Sequence, residues 1–407
     1  MKKQTLWNKN FTRLIVATTL GSVGGIIGSY AMQFLVFDET GSTLATAVLS
    51  IIQILPHFII PLLIAPIMDR FRRKPFLVGG DIAGGILYGL AGLYLHYLPF
   101  SYGTYLLFSL VINCINAFDE LAYNCIFPKS IPEGFEEKGY TISAMLYPVL
   151  NVVMMPLAAV LMDFIGVANI LLIQGGLSIL AAFTENGMQI KESLSDQGGM
   201  DGIRQWIRDF IDGFVYLKGE KGMRHIYTYG AVANGISAGC SPILVAFFRT
   251  TPGFSAKMYA FFSGAEFVGR SIGGVFRYKT ELKKEKKQGF VYFVQQFYNI
   301  MDAILLWLPY PLMLLNRGAC GFLGINSASV RQGCVQRYLQ EKYRARVNAF
   351  EGALICLVSC IGSLIVGLLG EMMDYRIVIS VMALLGIVTC VLTIWRGRED
   401  IRPIYEK

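Results

Sequence analysis

The chain has 407 residues, of which 54% are hydrophobic and 16% charged, and its mean hydropathy is +0.51. Those values exclude an ordinary soluble enzyme and point to an integral membrane protein. The formal net charge of +8 does not mark a nucleic-acid binder, because every basic stretch has apolar spans close by, where positive charge sets orientation.

A helix needs about 20 apolar residues to cross a bilayer. On that measure twelve spans follow one another, near residues 11–37, 43–67, 75–97, 101–126, 139–163, 166–188, 223–248, 255–276, 288–309, 311–335, 345–370 and 374–395. Residues 1–9 run straight into span 1, which is too long for the apolar core of a cleavable leader and lacks a convincing cleavage site. Span 1 is therefore expected to stay in the protein.

Between spans 2 and 3 lies Asp69-Arg70-Phe71-Arg72-Arg73-Lys74, five charges in six residues. A loop so short and basic is held on the cytoplasmic side, because Lys and Arg resist translocation. With the N-terminus inside, the cytoplasmic connections collect Lys2, Lys3, Lys9, residues 70–74, Lys129, Lys138, Lys191, Arg204, Arg208, Lys218 and Lys221. Residues 277–287, 337–346 and 396–407 add more, whereas the clear basic residues on the other side are Arg249, Lys257 and Arg376. That bias implies an even number of spans with both termini cytoplasmic. Trp7, Trp307 and Trp395 fall near span ends, as interfacial anchors do.

The polar stretch 189–222 splits the spans six and six, which gives an N-terminal bundle (1–188), a linker (189–222), a C-terminal bundle (223–396) and a tail (397–407). Within the linker Ile203, Trp206, Ile207, Phe210, Ile211, Phe214 and Leu217 recur at three-four spacing opposite Arg204, Arg208, Asp209 and Asp212. This pattern predicts an amphipathic helix on the inner membrane face, read as a tether between the halves. The eight cysteines form no C-x-x-C pair, and His57, His96 and His225 are scattered, so neither a metal nor a disulfide framework is expected. No phosphate loop, dinucleotide fingerprint or nucleophile elbow is present, so the chain reads as a non-enzyme without cofactor.

Two six-helix halves joined by a cytoplasmic linker resemble the major facilitator superfamily. Residues 65–74, Ala-Pro-Ile-Met-Asp-Arg-Phe-Arg-Arg-Lys, are similar to its signature Gly-x-x-x-Asp-Arg-x-Gly-Arg-Lys with both glycines replaced. Thr40-Gly41-Ser42, Leu55-Pro56, Phe127-Pro128 and Arg344-x-Arg346-Val347-Asn348-Ala349 resemble the macrolide-efflux and enterobactin-exporter branch. The chain departs from the pattern where span 5 keeps only Pro156 and small residues of a Gly-Pro motif. It departs again where span 4 lacks the arginine of many proton-coupled members.

The resemblance implies a monomeric twelve-helix secondary transporter of the bacterial cytoplasmic membrane, with lipids, a small-molecule substrate and the proton as partners. Proton-coupled efflux of amphipathic drug-like or siderophore-like compounds is the expected activity. An importer or lipid transporter of the same fold, or a non-transporting receptor, is the alternative. It also implies gating by Asp69, Arg70 and Arg73: Asp69 is placed to meet a helix N-terminus, and the cations to grip phosphates or acids.

Charged groups inside spans are costly and mark function. Asp119 and Glu120 in span 4, which lines the cavity in the resembled fold, are the candidates for proton exchange or substrate charge. Glu266 and Arg270 in span 8, four apart and so on one helical face, are the second pair. Asp302 is discounted as peripheral, and Glu185 and Glu351 are assigned to the inner ends of their spans as partners of basic loops. Among polar residues on the presumed cavity helices, Tyr30, Gln33, Asn234 and Asn326 are taken as substrate contacts.

Overall fold

A computed structural model describes residues 5–68, 72–132, 135–190, 208, 211, 214–280 and 282–406. Asp69, Arg70 and most of the linker lie outside those residues, and with them most of the amphipathic helix expected there. Residues 214–219 of the linker are helical.

Among the described residues the chain is built of helices and turns without strands. In the first half these are α1 (Lys9–Thr40), α2 (Thr43–Met68), α3 (Lys74–Tyr97), α4 (Tyr102–Ser130) and α5 (Glu136–Asn186). The second half has α6 (Lys221–Thr250), α7 (Ala256–Lys279), α8 (Lys284–Ile304), α9 (Tyr310–Tyr338), α10 (Glu341–Met372) and α11 (Tyr375–Cys390), followed by the short tail helix α12 (Arg398–Glu406). The 51-residue α5 is two spans that meet at Gly166, whose φ of 75° and ψ of 166° break the helix. Only glycine takes that conformation without strain. Counting α5 twice gives twelve helical spans, and the break falls at the boundary expected from the sequence.

Local chemistry sets the ends. The Asn8 side chain accepts from the Phe11 N–H at 2.8 Å and starts α1, and Gly41, at φ 63°, ends it by donating to the Phe37 carbonyl. The Ser255 hydroxyl and the Asp374 carboxylate cap α7 and α11 in the same way, and prolines stand in the first turns of α3 and α9.

The helices form two compact units, 1–41 with 52–204 and 42–51 with 205–407. The first is held together by α1 and α3 packing on α5, the second by α6 on α10 and α7 on α9. Without a hydrophobic drive between helices in lipid, such pairs rely on small residues that let backbones approach. A Cβ on Gly175 of α5 would lie 2.6 Å from the Gly85 carbonyl oxygen of α3, and one on Gly235 of α6 would lie 2.7 Å from the Val358 carbonyl oxygen of α10. Gly235→Leu is therefore expected to cost the second unit about 1–3 kcal/mol, read as a lower melting temperature of the purified protein. The same change at Gly274, which meets no neighbour, should leave it unaltered.

Among the described residues, eight helical stretches are long and apolar enough to cross a membrane on composition alone. α7, α8 and α9 are not among them, because charged and amide side chains lower their hydropathy. The tail helix α12 packs Ile401, Ile404 and Tyr405 into the core of the second unit, beside Met223 and Ile226 of α6. Burial pushes the Tyr405 phenol above its ordinary pKa, so it stays neutral.

Candidate functional site

Three carboxylates gather inside the first unit: Asp81 from α3, Asp119 from α4 and Glu185 from the last turn of α5. Each is within electrostatic reach of the other two. Glu185 is only 3% exposed, and its Oε2 has no hydrogen-bond partner. The Asp119 Oδ1 is likewise buried and unpartnered, packed so close to α3 that a Cβ on Gly80 would lie 3.2 Å from it. Among the described residues, none of the three is paired with a lysine, arginine or histidine. Tyr123, one turn beyond Asp119, points its hydroxyl to Ser143 at 3.4 Å and lies near Glu185.

The local sequence explains how the three can approach. Residues 79–85 read Gly-Gly-Asp-Ile-Ala-Gly-Gly, so α3 presents almost no side-chain bulk on either side of Asp81. That thin face lets α4 and α5 close on it. Just beyond Glu185 the end of α5 is tied down by cations: Lys74 Nζ donates to the Asn186 and Met188 carbonyls at 2.6 and 2.7 Å, and the Arg13 guanidinium to Gly187. Positive charge suits the unsatisfied carbonyls of a helix C-terminus. Lys74 thus serves the first unit from within, and its neighbour Arg73 is 8% exposed.

Glu120, next to Asp119 in sequence and within electrostatic reach of it, finds its own partner elsewhere. Its Oε2 lies 2.8 Å from Nδ1 of His57 on α2, and its side chain is 58% exposed. Adjacent residues on a helix point about 100° apart, so the two carboxylates, taken together in the sequence, face different neighbours.

The second unit holds a different arrangement. Glu266 and Arg270 of α7 pair as their spacing implies, with Oε1 3.1 Å from Nε and 2.7 Å from Nη2. The pair belongs to a larger network. The Tyr298 hydroxyl of α8 donates to Glu266 Oε1 at 3.1 Å, and Arg317 of α9 lies 3.8 Å from Glu266 Oε2 while it bonds Asp302 of α8 directly. Phe262 and Tyr298 flank the Arg317 guanidinium with ring centres 5.5 and 5.6 Å away, in cation–π range. Two acids and two arginines balance, so α7, α8 and α9 can be poor in hydropathy and still pack as neighbours.

The residues taken as substrate contacts divide. Tyr30 is 4% exposed and packs its ring, tilted, against Phe34 with centres 4.8 Å apart, while Gln33 is half-buried. Asn234 donates to Gly230 of its own helix at 2.8 Å. Asn326, 3% exposed, spends its amide hydrogens on the carbonyls of Gly273 at 3.1 Å and Phe322 at 2.7 Å, which fastens α9 to α7. Asp81 and Arg317 escaped the sequence reading, although each is an ionisable residue well inside a span, the signal that singled out Asp119.

No family model matches the sequence. The chain is 22% identical over 382 residues to a protein named macrolide efflux protein A of Streptococcus pyogenes, covering 91% of this chain and 92% of that one. It is also 22% identical over 219 residues to an uncharacterised MFS-type transporter, YkuC, of Bacillus subtilis strain 168, covering 52% of this chain and 50% of the relative. Two solved structures share the fold. The nucleoside transporter NupG superposes with a TM-score of 0.68 at 11% identity, over 94% of this chain and 98% of its own. A bacterial homologue of the human lysosomal transporter Spinster superposes with a TM-score of 0.64 at 12% identity, over 97% and 96%. The fold is therefore the one these two solved transporters have, helical throughout the described residues, and the relatives are named as transporters.

Proposed function

We propose that the chain is a secondary transporter of the major facilitator superfamily that works by alternating access in the bacterial cytoplasmic membrane and exports amphipathic small molecules in exchange for protons. The observation that carries this reading is the Asp81–Asp119–Glu185 cluster. Like charges gathered in an apolar wall repel, so the site calls for a proton or another cation, and an unpaired carboxylate at membrane depth is functional by default. A proton taken up in one conformation and released in the other would couple the gradient to the conformational cycle. The balanced network around Arg317 offers no such vacancy and suits a structural role.

Export is favoured over import by the relative named for macrolide efflux, which matches along nine-tenths of the chain. A macrolide is large, largely apolar and carries polar groups at its rim, the kind of molecule that a mixture of hydroxyls, amides and aromatics accepts. Asp69, Arg70 and Arg73 are proposed to gate the cytoplasmic side.

Everted membrane vesicles from cells expressing the protein test this reading with a fluorescent amphipathic dye and a macrolide as substrates. Accumulation that depends on the protein and collapses when a protonophore dissipates the gradient is expected. Accumulation that persists after the gradient is gone would overturn proton coupling.

A further inference from the structure

One carboxylate lies apart from both clusters and does something that neither explains. Glu371, exposed near the end of α10, reaches the first turn of α2. Its Oε1 accepts from the Leu44 backbone N–H at 3.0 Å and from the Ser42 hydroxyl at 2.7 Å, and lies 3.2 Å from the Thr43 hydroxyl. The Thr43 hydroxyl is 2.8 Å from the Gly367 carbonyl, one turn back along α10. An acid at this place satisfies the open N–H groups and the positive end of the α2 dipole.

α2 does not need Glu371 to begin. Ser42 already caps it, its hydroxyl accepting from the Ala45 N–H at 3.0 Å. What the carboxylate adds is a tie between two helices. Below it the contact is tight: a Cβ on Gly367 would lie 2.7 Å from the Cβ of Ala47, and one on Gly370 would lie 2.7 Å from the Thr43 hydroxyl oxygen. Residues 42–51 accordingly belong to the compact unit that contains α10, whereas α2 from residue 52 onward belongs to the other. The first turns of α2 are held there by polar bonds, of which those from Ser42 and Leu44 to the carboxylate are exposed, where water can replace them, while that from Thr43 to Gly367 is buried.

We propose that Glu371 is a catch: it caps α2 from outside the helix, holds residues 42–51 on α10, and must let go in any conformation in which those turns leave α10. The glycines at 367 and 370 beneath it permit this close docking.

Hydrogen–deuterium exchange of the purified full chain tests this without any substrate, so its outcome is separable from that of the transport reading. In E371A, residues 43–50 should exchange about tenfold or more faster than in the unaltered protein, as loss of a charged acceptor implies. E371Q, which keeps an acceptor oxygen but loses the charge, should show a smaller rise. Gly367→Val, which wedges the helices apart while leaving the carboxylate in place, should raise exchange over the same residues. In every variant α8 and α9 should exchange as before. Unchanged exchange of 43–50 in both E371A and G367V would overturn the proposal, as would an increase spread equally over α8 and α9.

Discussion

Arg317→Met is expected to destabilise the second unit by up to about 3–5 kcal/mol, the cost of removing one partner from a pair whose cation is buried and whose acids are only partly exposed. Arg317 is 6% exposed, bonds Asp302 directly and stands 3.8 Å from Glu266. Without it two acids face one cation, Arg270, which already bonds Glu266 at 2.7 Å. Asp302 is the group left stranded. The double variant Arg317→Met with Asp302→Asn removes both charges and keeps the Glu266–Arg270 pair, so most of the lost stability should return, since breaking a buried pair costs more than deleting it. Arg317→Lys should recover less than the double variant, because an ammonium lacks the planar fork that lies between Phe262 and Tyr298. Thermal unfolding of the purified variants, followed by intrinsic fluorescence, reads all three.

The second large effect concerns the acid cluster and is opposite in kind. Asp119→Asn and Glu185→Gln should each reduce proton-driven transport to the background of vesicles without the protein, while the fold is kept or slightly strengthened. Both substitutions preserve shape and remove a like charge from a crowded apolar wall, which relieves repulsion. Glu120→Gln should behave differently, since Glu120 is exposed and already has His57 as its partner, whereas Asp119 has a buried oxygen without one. Retained transport in E120Q with loss in D119N would separate two neighbours that sequence alone places together. Combined with the Arg317 series, it would also separate a coupling role in one unit from a structural role in the other.

Much of the architecture was legible in the residues because it is local. Apolar run length marks most of the spans and the boundary inside α5, and the four-residue spacing marks the Glu266–Arg270 pair. The functional clusters are not local. Asp81, Asp119 and Glu185 come from three helices, and periodicity says which face a residue occupies but not which other helix that face meets. Asp302 was set aside as peripheral, yet it finds Arg317 across the turn that joins α8 to α9, a partner that hydropathy treats only as an interruption. The glycines that permit these approaches, Gly80 and Gly85 on α3 and Gly235 on α6, read in sequence as mere small residues. Their meaning is supplied by the backbone carbonyls and side chains facing them. The basic residues carry a similar lesson: Lys74 reads as a topology signal, and in the fold it also closes the end of α5.

Proton counter-flow is the most direct test of the central claim. The purified protein is reconstituted in liposomes that hold a pH-sensitive dye, and a macrolide or an amphipathic cationic dye is added under an imposed substrate gradient without a proton gradient. The account expects substrate movement to drive protons the opposite way in the unaltered protein and in E120Q, and no proton movement in D119N or E185Q. Substrate flux with no accompanying proton flux in the unaltered protein, or proton flux undiminished in both D119N and E185Q, would contradict it.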